Sequence, residues 1–355
     1  MKKILLFTII CLCLAACAPV SLQPSTTVPT NTVQSSSGGG SVLDDPAPSK
    51  TPDFSSTPSF IRKPTRTPKP SPTPTVPQAN YSGQVPNFDH VVLIVLENEG
   101  YSQVIGNPAL PNLNALAKQN VLLSDFFARM HPSLPNYITL VSGDNQKITS
   151  DCTTCFVNAP NLADLIEASG RTWKSYEENL PSPCFVGDAS PYAQKHDPFI
   201  YFDSIRLNPA RCQQSIVPLT QLDTDLAANQ LPNFSLITPN LCNDGHNCSL
   251  DIADKWVSQM VSKLQSSPAF GKNSLIIITF DESGDNNTAS CCGMGKKAGG
   301  QVATLLISPL ARPGFNDNTP YSPYDLLKTI LVAWNLPDLG NTKISQTQPI
   351  VDPWQ

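Results

Sequence analysis

Three apolar runs in this chain stop on acids or amides, and that ending constrains the fold more than any other feature. DHVVLIVLE, over 89–97, is β-branched and continuous until Glu97-Asn98. SLIIITFDE, over 274–282, stops on Asp281-Glu282, and the shorter FSLITPN, over 234–240, stops on Asn240. A fourth run, VATLLIS, covers 302–308. Uninterrupted runs of this kind suit strands buried on both faces. Between them, 112–118, 161–168, 250–264 and 324–334 carry apolar residues at helical spacing. Strands alternating with helices predict an α/β domain: a doubly wound, mostly parallel sheet with helices on both faces. Ligands bind such sheets beyond the carboxyl ends of the strands. Glu97-Asn98, Asn240 and Asp281-Glu282 all fall at that edge.

The first residues, MKKILLFTIICLCLAAC, pair two lysines with a short apolar run and small residues. That is an export signal, too short for a membrane span of about 20 apolar residues. Leu-Ala-Ala-Cys resembles a bacterial lipobox, which implies a lipoprotein signal over 1–17 with Cys17 lipidated. The expected location is the extracytoplasmic face of a bacterial membrane, with the lipid as anchor. Residues 18–83 are dominated by Pro, Ser and Thr. Such a segment cannot bury enough surface to offset its ordering entropy, and proline keeps it extended at ~3.1 Å per residue. It reads as a disordered stalk carrying a domain over 84–355. A net charge of −5 argues against nucleic acid as a partner.

Of 11 cysteines, three lie within 1–17, leaving eight in the domain. An even set in an exported chain points to disulfides. Local pairs 152–155 and 242–248 are expected, and Cys291-Cys292 forms either a vicinal bridge or bonds elsewhere. The CxxC spacing of Cys152 and Cys155 also suits zinc, but no second CxxC follows.

RMHPSLPNYITLVSG, over 129–143, brackets a serine with prolines just before an amphipathic stretch. Ser133 is expected at the N-cap of a helix running from Leu134 to Leu140 and closing at Gly143. A hydroxyl there faces the positive end of the helix dipole, where an alkoxide or an incoming phosphate is favoured. Alone it would be a cap; beside the strand-end acids it reads as a metal-activated nucleophile. Glu97, Asp281 and Glu282 offer carboxylates and Asn98 an amide oxygen, a donor set for one hard or borderline divalent cation. Thr139 is a less accessible alternative hydroxyl. Of four histidines, His90 precedes a strand and reads as structural. His196 and His246 sit in polar loops where a ring can protonate a leaving oxygen or hold a phosphoryl oxygen.

Taken in order, HVVLIVLENEGY, HPSLPNYITLVSG, KHDPFIYF, TPNLCNDGHNCSLDIADKWV, IIITFDESGD and GGQVATLLISPLARPG resemble a known family. It is the phosphoesterase family of bacterial and fungal acid phosphatases and non-haemolytic phospholipases C, within the alkaline phosphatase-like superfamily. The resemblance implies an alkaline phosphatase-like fold and a phosphomonoesterase mechanism centred on one metal. Glu97, Asn98, Ser133, Asp281 and Glu282 would be ligands, with Ser133 attacking phosphorus to give a phosphoseryl intermediate. Asn136 matches an amide that holds a phosphoryl oxygen, and His246 and His196 would stabilise phosphate or protonate the leaving group. His131 and Asn240 are candidate pocket-lining, substrate-binding residues. Asp197 departs from the asparagine more usual after His196, adding a negative charge near an anion pocket.

The expected substrate is a phosphorylated small molecule or a phospholipid. A phospholipase C or phosphatidylinositol phosphate phosphatase is the alternative within the same chemistry. From another class, a lipid-anchored phosphate- or solute-binding protein needs the helix terminus but not the acids around it.

Overall fold

The computed structural model describes residues 84–284, 287–295 and 297–354. The expectations of an export signal, a lipidated Cys17 and a stalk over 18–83 lie outside these residues.

Eight strands form one sheet in the order β4-β3-β5-β1-β6-β7-β2-β8. They are β1 (His90–Leu96), β2 (Val121–Phe127), β3 (Trp173–Glu177), β4 (Ile216–Pro218), β5 (Phe234–Thr238), β6 (Ser274–Phe280), β7 (Gln301–Ile307) and β8 (Asn316–Asp317). β7 is antiparallel to both β6 and β2, and the other pairings are parallel. The mostly parallel reading holds, with one reversed strand inside it.

All four apolar runs form strands. β1 is buried along nearly its whole length and β6 along all of it, which requires cover on both sheet faces. Helices supply it: Pro111–Gln119 packs with Leu250–Ser266, and Ser133–Ser142 with Pro323–Ala333. The four predicted helices form to within two residues of their expected ends, and Asn161 caps Leu162–Ala168 by accepting from the amides of Ala163 and Asp164.

The serine helix corrects one expectation. It begins at Ser133 itself, with Pro132 as its N-cap, and ends at Ser142. Gly143, at φ 70°, closes it in the left-handed region, where glycine carries no Cβ penalty. Ser133 is therefore in the first helical turn and buried.

All eight domain cysteines are bridged, as 152–155, 184–212, 242–248 and 291–292. The two expected local pairs are present, the adjacent pair is vicinal, and disulfide displaces the zinc reading of Cys152 and Cys155.

Candidate active site

The register of the central strands builds the site. β1 and β6 pair in parallel from His90↔Ser274 to Leu96↔Phe280. The next residues, Glu97 and Asp281, therefore leave adjacent strands at the same level. The Asp281 amide donates to the Leu96 carbonyl at 2.9 Å, and the Asn98 amide donates to Asp281 Oδ1 at 2.9 Å. Asn98 sits at φ 56°, a left-handed conformation that asparagine tolerates better than most residues. On the other side of β1, the loop after β5 brings the Asp244 carbonyl to accept from the Glu97 amide at 3.0 Å.

The serine meets these acids. Ser133 Oγ donates to Glu97 Oε2 at 2.9 Å, and the Asn98 side-chain amide donates to the same oxygen at 3.0 Å. Glu97 is fully buried and Asp281 2 % exposed. Asp281 Oδ2 is buried and accepts no hydrogen bond, an arrangement that costs free energy unless a cation or proton compensates it.

Charge is distributed unevenly. Burial opposes ionisation of Glu97, but His196, Lys195 and Tyr137 outweigh it and hold its carboxyl far below the usual range. Burial and the charges of Glu97 and Glu282 push Asp281 well upward. Burial, opposed by His131, lifts Glu282 to about 7. Three acids this close cannot all be anionic without added positive charge.

Lys195, absent from the sequence-derived set, supplies part of it. Its Nζ lies 3.2 Å from Ser133 Oγ and 3.4 Å from Glu97 Oε2, and also 3.4 Å from Asp151 Oδ2. Burial works to lower its pKa, yet Glu97, Asp151 and Asp281 raise it overall, so it stays an ammonium. Its one sequence signal is its place in KHDPF beside His196.

The histidines divide. His196, 2 % exposed, sits with Nε2 3.3 Å from Glu97 Oε1 and Nδ1 3.4 Å from Asp244 Oδ2, stacked on Tyr137 at 5.3 Å. Both ring nitrogens face carboxylates, so it orients Glu97 instead of reaching a leaving group. His131 places Nδ1 2.5 Å from Glu282 Oε2 and Nε2 3.0 Å from the Asn287 carbonyl oxygen, so one nitrogen holds Glu282 while the other is fixed by the backbone. His246 is exposed beside Asn247, two residues from Asp244. His90 contacts the Pro232 carbonyl oxygen at 2.9 Å, the structural role expected of it.

Of the two candidate substrate amides, Asn136 is fully committed elsewhere and Asn240 in part. Asn136 Oδ1 accepts from the amides of Arg129 and Met130, and its Nδ2 donates to the carbonyls of Met130 and Pro132. It shapes the turn that presents Ser133, with no donor left for a phosphoryl oxygen. Asn240 Oδ1 accepts from the amides of Cys242 and Asn243, and its Nδ2 donates to Asn179. Thr139 donates to the Pro135 carbonyl within its own helix.

Asp197 answers the concern about extra charge. It is fully buried, and burial lifts it to about 8. Glu177 nearby is pushed well up by burial and by Asp197. At neutral pH Asp197 is a neutral acid, close in size and polarity to an asparagine.

Among the described residues no three His, Cys, Asp or Glu side chains already converge as metal ligands. The fit of a cation rests on donor chemistry. Oxygen donors crowd one sheet edge, the buried Asp281 Oδ2 accepts nothing, and burial together with the neighbouring carboxylates raises Asp281 and Glu282. A divalent ion of the oxygen-preferring kind suits that set.

A helix-start serine among acids at the end of a mostly parallel sheet defines a phosphoesterase-type α/β protein, and known proteins agree. A protein of the alkaline phosphatase superfamily from Vibrio parahaemolyticus superposes with a TM-score of 0.51 at 13% identity, over 76% of this chain and 71% of its own. A lipoteichoic acid synthase from Listeria monocytogenes gives 0.53 at 12%, over 78% of each chain. These establish an alkaline phosphatase-like fold. The chain belongs to the Phosphoesterase family, whose model matches residues 107–337. An acid phosphatase of Aspergillus fumigatus is 31% identical over 74% of this chain and 58% of its own length. A phosphatidylinositol-3-phosphatase of Mycobacterium tuberculosis is 31% identical over 79% of this chain and 87% of its own. The chain thus spans less than two thirds of the fungal enzyme but most of the mycobacterial one.

Proposed function

We propose that the protein is a metal-dependent phosphomonoesterase of the acid phosphatase type that works through a phosphoserine. The observation that carries this reading is the Ser133 hydroxyl donating to Glu97 within reach of the Lys195 ammonium. Glu97, Asn98, Ser133, Asp281 and Glu282 would hold one divalent ion. Bound there, it would lower the pKa of the serine hydroxyl and offset charge on the phosphoryl oxygens.

Ser133 Oγ attacks phosphorus, forming the Oγ–P bond as the P–O bond to the alcohol breaks. The hydrogen bond to Glu97 Oε2 aims Oγ, and the hydroxyl proton leaves to water, because Glu97, held ionised by its neighbours, is too weak a base to keep it. Lys195 then faces the phosphoryl group with a fixed positive charge, which strengthens as charge builds in a water-poor site. His246, exposed on its loop two residues from Asp244, would give the departing alcohol its proton. Water then attacks phosphorus, releasing phosphate and restoring the serine. Asn98 becomes an oxygen donor by a half-turn of its amide, which exchanges oxygen for nitrogen without moving the backbone.

The mycobacterial relative, spanned nearly end to end, favours a phosphoinositide headgroup as one natural substrate, because its phosphate is a monoester too. We place the protein, by its N-terminal sequence, as a lipid-anchored envelope enzyme. Hydrolysis of p-nitrophenyl phosphate is compared with its bis-ester and phosphatidylcholine, with and without chelator and beside Ser133→Ala. Chelator-sensitive monoester turnover, lowered at least ~10³-fold in the mutant, is expected. Preference for a diester would move the reading to phospholipase C chemistry. Phosphate binding without turnover under any common divalent metal would leave a binding protein.

A further inference from the structure

We infer that Asp151 occupies the phosphate position of the resting site and must be displaced for a phosphate ester to bind; this rests on the function proposed above. Asp151 Oδ1 accepts from the Leu134 amide at 2.9 Å. That amide is in the first turn of the 10-residue helix Ser133–Ser142, where N–H groups lack partners within the helix. Asp151 Oδ2 lies 3.4 Å from Lys195 Nζ, the ammonium that also touches Ser133 Oγ. One carboxylate therefore spans a helix-terminal N–H and a lysine, flanking the nucleophile. These are the donors a phosphoryl group bonded to Ser133 would need, and a carboxylate is the side chain that most resembles one.

One feature makes the contact displaceable. The Asp151 side chain is 33% exposed against 16% for Lys195 and 0% for Glu97, so it has water to turn into. An anion that expels it takes over the Leu134 amide and the Lys195 ammonium, both already oriented toward it. Competition of this kind multiplies the apparent dissociation constant by the ratio of total forms, open plus closed, to open ones. Substrate and product both meet it, so Asp151 loosens phosphate after each turnover as well as ester before it.

The test measures inhibition of p-nitrophenyl phosphate hydrolysis by inorganic phosphate, and calorimetric binding of phosphate, for the full chain and for Asp151→Ala and Asp151→Asn. Phosphate should bind about 10-fold more tightly to the alanine variant, with KM falling in step and kcat not rising. Asparagine keeps an acceptor for Leu134 but loses the charge, and should fall between. If alanine at 151 lowers the melting temperature below the assay range, the asparagine variant decides the matter. Phosphate binding that is unchanged or weaker in the folded variants, with turnover intact in the wild type, overturns the role of Asp151 alone. A wild type that neither hydrolyses the ester nor binds phosphate overturns the function proposed above and this inference with it.

Discussion

At the residue scale the acids beyond the strands were legible because each ends a run that has no other reason to stop. Lys195 was not: its contact with Ser133 spans 62 positions, and one lysine beside a histidine carries no periodic signal. Asn136 and Asn240 show the converse. An amide in the right motif can be spent on the backbone, and only the fold shows where its donors go. Asp197 gives a prediction with a definite sign. Its pKa rises on folding from 3.8 to about 8, so between those values the folded state binds the extra proton. Stability from this group is present below about pH 4 and declines as pH rises through 8. Asp197→Asn should flatten that decline, leaving the melting temperature at pH 8.5 a few °C above wild type, since about 1 kcal/mol moves it ~2–4 °C in a domain of this order. Thermal scans from pH 5 to 8.5 check it. A variant with the wild-type slope would show that Asp197 is not the group responsible.

At the scale of elements, four strands and four helices were readable from period and β-branching. The strands at 121–127 and 173–177 were not. VLLSDFF and WKSYE carry polar residues inside them, where alternation competes with helical spacing over too few positions. Placing Ser133 at the cap instead of in the first turn is the same limit, since Pro132 suits either position. One loop depends on an approach that sequence does not reveal. A β-carbon at Gly284 would collide with the carbonyl of Asn98, so the segment after β6 can close over the β1 end only with glycine there. Gly284→Ala should cut kcat/KM at least ~10-fold while changing the melting temperature little, because the clash falls on the site and not on the core. Steady-state kinetics beside calorimetry separate the two, and full activity in the mutant would show that this approach does not position Asn98.

For the whole molecule, sheet order does the assembling. β1 lies between β5 and β6, so one central strand end gathers Asp244 and His196 from one side and Asp281 and Glu282 from the other. The serine helix, packed on Pro323–Ala333, brings Ser133 to the same point. A doubly wound sheet was predictable; the convergence of its loops on Glu97 depended on strand order, which no local pattern encodes. The proposed reaction turns above all on a covalent phosphoserine at Ser133. The most direct measurement is acid quench of the enzyme during turnover of a phosphate monoester, followed by peptide mass spectrometry. A phosphate adduct on Ser133, lost on chelation and absent from Ser133→Ala, is expected. Chelator-sensitive turnover with no adduct there at any quench time, or an adduct on another residue, would contradict it.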